Sequence, residues 1–259
     1  MNINDALDVP EWQRPQMFYG KPLTYHDGRH MYFWDGVHVP SVTTIIKRLD
    51  KPGLLWWAAE EAVKAMQRGE SPEEARKAHV KVKDAAADIG NVLHDIAERI
   101  QSGKEPSADL TRKLPVEDQL IASNCALALK EWMGAQQFGD AELERKVFSK
   151  SMMYAGRCDR FGRINNRLAV LDFKSGGEKI YPETWLQMSA YELALQEEYG
   201  ALDDVWHYAI HLNKKTGKCT PYIRGPEHTS WAKEAWRRLV DFDRCMRQVP
   251  TEAQMRKVA

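Results

Sequence analysis

Asp159, Asp172 and Lys174 are the residues of this chain whose types and spacing point most directly to chemistry. Two neighbouring carboxylates repel one another unless a cation sits between them, and hard oxygen ligands of this kind suit Mg2+ or Mn2+. A lysine beside them can stabilise the negative charge that develops on an attacking water or on a phosphorus centre. Phosphodiester hydrolysis needs these parts. Taken alone, the Asp172-x-Lys174 triplet is better read as a surface ion pair with a spare Asp, because such triplets are common by chance and exposed pairs are worth little.

The surrounding sequence dictates how these side chains are held. Arg167-Leu-Ala-Val-Leu-Asp-Phe-Lys174 is rich in branched apolar residues and runs into Ser175-Gly176-Gly177, which predicts a strand ending in a loop. Alternation along that strand puts Asp172 and Lys174 on one face and Leu171 and Phe173 on the other. Asn165-Asn166 lies between two strand-like runs, and Asn tolerates the positive φ of a tight hairpin turn. A hairpin there lays residues 154–164 beside 167–174 and brings Asp159 to Asp172. Further on, Gln187 and Tyr191 stand at i and i+4 of a predicted helix and share a face.

Upstream, Ser71-Pro72-Glu73-Glu74 opens a long predicted helix with a capping Ser, Pro in the first turn and acids at the positive end of the dipole. Ala75, Ala78, Val82, Ala85, Ile89, Leu93, Ile96 and Ile100 continue it as one apolar stripe at helical period. His94 sits at the edge of the stripe, one turn after Gly90 and one turn before Glu98. A lone His there is more often a satisfied, partly buried histidine than a metal ligand. Helical side chains lean toward the N-terminus, so His94 lies over the open space at Gly90. Gly costs about 1 kcal/mol relative to Ala inside a helix, which calls for close packing or ligand access at that position.

Other segments are plainer. Residues 1–23, with Pro10, Pro15, Gly20 and Pro22, are expected to drape over the body without regular structure, and residues 25–40 form a small hairpin turning at Asp27-Gly28 and Asp35-Gly36. In Pro40-Ser41-Val42-Thr43-Thr44-Ile45-Ile46, Ser41 or Thr43 caps a short helix. It is either a simple capped turn or a helix start whose hydroxyls and N–H groups meet a phosphate. Residues 54–66 read as a core helix ending near Gly69. Residues 205–213 and 219–224 read as two strands around a turn at 214–218. Residues 229–249 read as a final helix, whose Arg237, Arg238, Arg244 and Arg247, interleaved with Asp241 and Asp243, suit a solvated face. The tail 251–259 is polar and expected to fray.

Composition sets the outer bounds. With 259 residues, 43% hydrophobic and 9 Trp, the chain can bury one large core, and we divide it into an N-terminal segment 1–70 packed on a body 71–259. Lys+Arg and Asp+Glu both count 37, so no global basic field announces a nucleic-acid partner, and any such partner must bind a local patch. Cys125, Cys158, Cys219 and Cys245 form no C-x-x-C pair, which gives no support to zinc or an iron–sulfur cluster. The N-terminus lacks the basic start and apolar core of a secretory signal, and no stretch approaches the roughly 20 apolar residues of a membrane span. The expectation is an intracellular, cytoplasmic protein with no membrane partner.

In chain order, Pro40-Ser41-Val42-Thr43-Thr44-Ile45, Leu54-x-x-Trp57, Gly90-x-x-x-His94, Glu144, Tyr154-Ala-Gly-x-x-Asp159, Asp172-Phe-Lys174 and Gln187-x-x-x-Tyr191 resemble the RecB-like branch of the PD-(D/E)xK nucleases. Within it they are similar to phage-type exonucleases and the mitochondrial genome maintenance exonuclease. The resemblance implies an α/β fold, a central mixed β-sheet flanked by helices with a restriction-endonuclease-like core, and an N-terminal mainly helical part roofing the cleft. It implies that Asp159 and Asp172 bind Mg2+ or Mn2+, with the Phe173 carbonyl and His94 as further ligands. Lys174 would orient or activate water, Glu144 would support the metal or its water, and Gln187 with Tyr191 would support the site and the DNA backbone. Ser41, Thr43, Arg157 and Ser175 would contact DNA. Two departures stand out: no proline precedes Asp159, where the name calls for one, and the cysteine tetrad of some relatives is missing. The implied activity is metal-dependent exonucleolytic hydrolysis from DNA ends, on single-stranded or resected DNA, beside a recombination or single-strand-binding protein, in a bacterial or phage-infected cell. An endonuclease of the same fold and a non-catalytic DNA-binding recombination scaffold are the alternatives.

Overall fold

The computed structural model describes residues 15–26, 28, 31–176, 179–202 and 204–248. Four antiparallel strands come first: β1 (Gln16–Phe18), β2 (Lys21–His26), β3 (Met31–Trp34) and β4 (Val37–Val39). This corrects two expectations. Residues 16–23 pair in register instead of draping, and the small hairpin is half of a four-stranded meander. The reason lies in the turns. Tyr19-Gly20 and Asp35-Gly36 adopt positive φ at both positions, the left-handed geometry that matches strand twist. Pro22 is accommodated because its carbonyl accepts from Asp35 N at 3.0 Å while the ring has no N–H to satisfy. Residues 1–14, Asp27 of the expected Asp27-Gly28 turn and the tail 251–259 lie outside the described residues.

Six helices follow: α1 (Val42–Ile46), α2 (Pro52–Gln67), α3 (Pro72–Arg76), α4 (Ala78–Gln101), α5 (Ala108–Thr111) and α6 (Val116–Gly134). Ser71 caps α3 in a reciprocal box with Glu74, as its sequence requires. The long helix expected from that cap is nevertheless broken at Lys77, which closes α3 and starts α4 with φ −99° and ψ −2°. α2 is helical but is not core, since Leu54, Leu55 and Trp56 are 55, 74 and 76% exposed. It meets its neighbours through Ala65, Ala75 and Ala78, small residues that let helices approach closely while burying only a narrow strip.

The body is a five-stranded sheet in the order β5-β6-β7-β8-β9, formed by β5 (Phe138–Ser149), β6 (Tyr154–Ile164), β7 (Arg167–Gly176), β8 (Trp206–Asn213) and β9 (Cys219–Arg224). Only β7 and β8 are parallel, and the crossover between them is α7 (Pro182–Tyr199). Asn165 and Asn166 turn β6 into β7 with φ of 50° and 62°. α8 (Ser230–Gln248) closes the chain. One face of the sheet is covered by α1, α7 and α8, with Val170, Ala209 and Cys158 beneath Trp185, Met188 and the fully buried Trp236. The other is covered by α4 and α6, with Leu171, Phe173 and Ile210 beneath Ile89, Leu93 and Leu129. Among the described residues no helix is long and apolar enough to cross a membrane.

Two joints hold the N-terminal sheet to the body. Phe148, at the end of β5, places its ring 5.9 Å from Phe18 and 5.0 Å from Trp34. Beside it, Ala155 N donates to Pro40 O at 3.0 Å, so the entry to α1 is stitched to the start of β6. The body sheet also forks. β6 pairs with β7 only up to Arg160 and Leu171, after which β6 continues along β5 and β7 along β8. Asp159 and Asp172 stand at the point of divergence.

Candidate active site

At the fork Phe173 N–H has lost its strand partner, and Asp159 Oδ2 accepts from it at 2.6 Å in place of a backbone carbonyl. Across the gap Asp172, 2% exposed, points to the α7 side, as strand alternation requires. The Lys174 ammonium pairs with Asp172 Oδ2 and donates to Gln187 Oε1 at 2.9 Å. Gln187 Nε2 donates to Tyr191 OH at 2.6 Å and lies 3.4 Å from Asp172 Oδ1. One amide therefore fixes the orientation of both lysine and phenol.

Room for Tyr191 is made by Gly156. A Cβ at that position would stand 2.7 Å from the Tyr191 ring and 3.1 Å from Val42, with the buried phenol between strand and helix. Gly156→Ala is expected to cost about 1–3 kcal/mol in stability by overpacking and to lower cleavage about tenfold by tilting Gln187 away from Lys174. Chemical denaturation and steady-state rates measure the two effects; an unchanged rate would show that Tyr191 does not hold the amide.

From the opposite face α4 supplies His94, 42% exposed, whose Nδ1 is 3.9 Å from Asp159 Oδ2. Burial among the cleft walls lowers its pKa, opposed by Asp172. The glycine one turn earlier has a different role from the open space expected under His94. A Cβ at Gly90 would lie 2.9 Å from Ser175 Oγ, so Gly90 lets α4 press against the end of β7. Ser175 faces α4 there and does not line the cleft.

Glu144 on β5 completes the group. Its neighbours Leu143 and Arg145 pair with Arg160 and Cys158, while Glu144 itself takes φ +49°, a left-handed conformation rare for a non-glycine residue. It pairs with Arg157 Nε at 2.9 Å. Burial and the charge of Asp159 push its carboxyl up to about 8, and burial and the charge of Asp172 push Asp159 up to about 7.

These side chains share a cleft of about 790 Å3, whose walls also carry Ser41, Val42, Thr43, Lys47, Asn91 and Glu98. Ser41 caps α1, accepting from Thr44 N at 3.0 Å, while Thr43 lies within the helix and its hydroxyl meets that of Ser41 at 3.0 Å. Sequence patterns alone do not single out Tyr25, Tyr32, Lys47 or Asn91. Lys47 reaches the cleft as the residue that closes α1, a place no motif marks, and the two tyrosines look like ordinary strand residues.

Two carboxyls raised by burial and by neighbouring charge, beside a lysine, form a class of site whose chemistry suits a divalent cation and a phosphate oxygen. The residues fit such an ion, because a cation would offset both the burial and the like charge that raise Asp159 and Glu144. The fit is one of chemistry and not of a closed cage, since among the described residues no three His, Cys, Asp or Glu side chains already converge on one point. The chain belongs to the PD-(D/E)XK nuclease superfamily, whose family model matches residues 65–250. Its members are nucleases that typically use divalent metals such as Mg2+. A search of curated proteins gives no match.

Proposed function

We propose that the protein is a divalent-metal-dependent DNA exonuclease acting at single-stranded or resected ends. The observation that carries the reading is the placement of Asp159, Asp172 and Lys174 together at the fork of β6 and β7, open to one cleft. Asp159, Asp172, His94 and the Phe173 carbonyl are the groups that would hold Mg2+ or Mn2+, and the bound ion would supply Lewis acidity toward phosphate oxygen. Lys174, steadied by Gln187, presents its ammonium to the charge that develops on the phosphoryl group. Glu144, paired with Arg157 at 2.9 Å and lining the same cleft as Asp159, would support the ion or its bound water. Ser41, Thr43 and Arg157 line the same cleft and suit phosphate contacts, whereas Ser175 packs behind it.

The motif order supports a bacterial or phage-infected cell as the setting, with a recombination or single-strand-binding protein as partner. The test is to compare end-labelled linear DNA with covalently closed circles in Mg2+ or Mn2+. Nucleotides should leave the linear DNA stepwise while circles resist. Scission of circles would make the protein an endonuclease, and DNA binding without any cutting would leave it a scaffold.

A further inference from the structure

The cleft presents an electrostatic difficulty for a DNA-binding protein. Five acids line it against three cations, Lys47, Arg157 and Lys174, and the chain as a whole has no net charge. Phosphate attraction is therefore weak before an ion is bound, and a non-electrostatic contact has to contribute to holding the strand. The cleft wall contains one. Tyr25 on β2 and Tyr32 on β3 are cross-strand partners with ring centroids 4.8 Å apart and planes tilted by 47°, and both line the cleft. Tyr32 is 7% exposed and belongs to the cluster of Phe18, Leu23, Val39 and Phe148, while Tyr25 is half-buried on top of it.

We propose that Tyr25, backed by Tyr32, is a stacking platform for an unpaired nucleobase next to the phosphate being cut, and thereby selects single-stranded ends. The inference rests on the exonuclease reading for its substrate. An aromatic ring can stack with any base, so the contact is blind to sequence; a base inside a duplex has both faces occupied and cannot use it. The platform is rigid in the relevant direction. Its sheet is fixed to the catalytic hairpin through Trp34 on Phe148 and Pro40 on Ala155, so the distance from Tyr25 to Asp159 is set by packed strands and not by a loop. Both tyrosines precede the span 65–250 that matches the family model.

The test uses the full chain, metal omitted, with a short DNA strand carrying 2-aminopurine at successive positions from each end, and separately the same strand with one abasic position. With the wild type, fluorescence should be quenched at one position, and removing the base there should weaken binding about tenfold or more. Tyr25→Leu should abolish both effects and Tyr25→Phe should retain them, which separates lost stacking from a lost fold. Equal quenching in wild type and Tyr25→Leu, or equal binding of abasic and intact strands by the wild type, would overturn the platform. Cleavage that ignores the base would overturn it while sparing the exonuclease reading. Quenching in a protein that never cuts with Mg2+ would do the reverse.

Discussion

Lys174→Ala is expected to lower kcat on single-stranded DNA by about 10² to 10³-fold, the loss found when one preorganised donor is removed from a developing oxyanion. Asp172→Ala is expected to lower it at least as far, because this carboxylate pairs with Lys174 and, in the proposed site, would also hold the ion. Lys174→Arg should not restore the rate, since a planar guanidinium cannot occupy the place of a point-like ammonium held by Gln187 Oε1. In each variant DNA affinity measured by anisotropy should stay within about threefold, as expected for groups used in the transition state and not in ground-state binding. Full cleavage by either alanine variant, with an intact far-ultraviolet spectrum, would remove these residues from the mechanism.

The metal-free protein should lose stability as pH rises from about 4 to about 8. Asp159 and Glu144 have their carboxyls raised from ordinary values of 3.8 and 4.5 to about 7 and about 8. Between those limits the folded chain keeps protons that the unfolded chain has released, so the stabilisation is complete below the unfolded values and gone above the folded ones. Each retained proton tilts stability by up to about 1.4 kcal/mol per pH unit, so Tm in EDTA should fall across the window. Divalent cations compete with these protons, so Mg2+ should raise Tm more near pH 8.5 than near pH 5.5. Asp159→Asn should flatten the metal-free profile. A Tm in EDTA that stays level between those two pH values would mean the acids are not crowded as the geometry indicates. The rate at limiting Mg2+ should climb through the same window as the protons leave.

Features that repeat locally were legible in the sequence. The run 167–174, the Asn165-Asn166 turn and the Gln187/Tyr191 spacing each needed only alternation or one helical turn, and the structure has all three. The family's ordered motifs then brought in His94, whose approach to Asp159 spans separate elements that no local pattern joins. Two of the misses share a cause, which is packing by small or all-round apolar surfaces. α2 resembles a core helix because Leu54, Leu55 and Trp56 are apolar, yet only its alanine edge is covered. α6 escapes detection because Val116, Leu120 and Leu127 face solvent while Ala122, Cys125 and Leu129 are buried, leaving no clean stripe to count. The break at Lys77 and the paired strands at 16–23 depend on single φ values that Lys, Tyr and Asp do not advertise. Tyr25 and Tyr32 have the pattern of strand residues, and only tertiary placement turns them toward the acids.

Glu144 combines two burdens at one residue: a left-handed backbone of a kind that costs on the order of 1–3 kcal/mol when it is not glycine, and a buried carboxyl among like charges. A population of variants selected for heat resistance alone would therefore lose this acid early, with glycine or asparagine relieving both burdens in a single substitution. On the role proposed for Glu144, thermal robustness and cleavage are opposed at this position, and a thermostable form that retains it would need its gains elsewhere, for instance along the exposed apolar edge of α2.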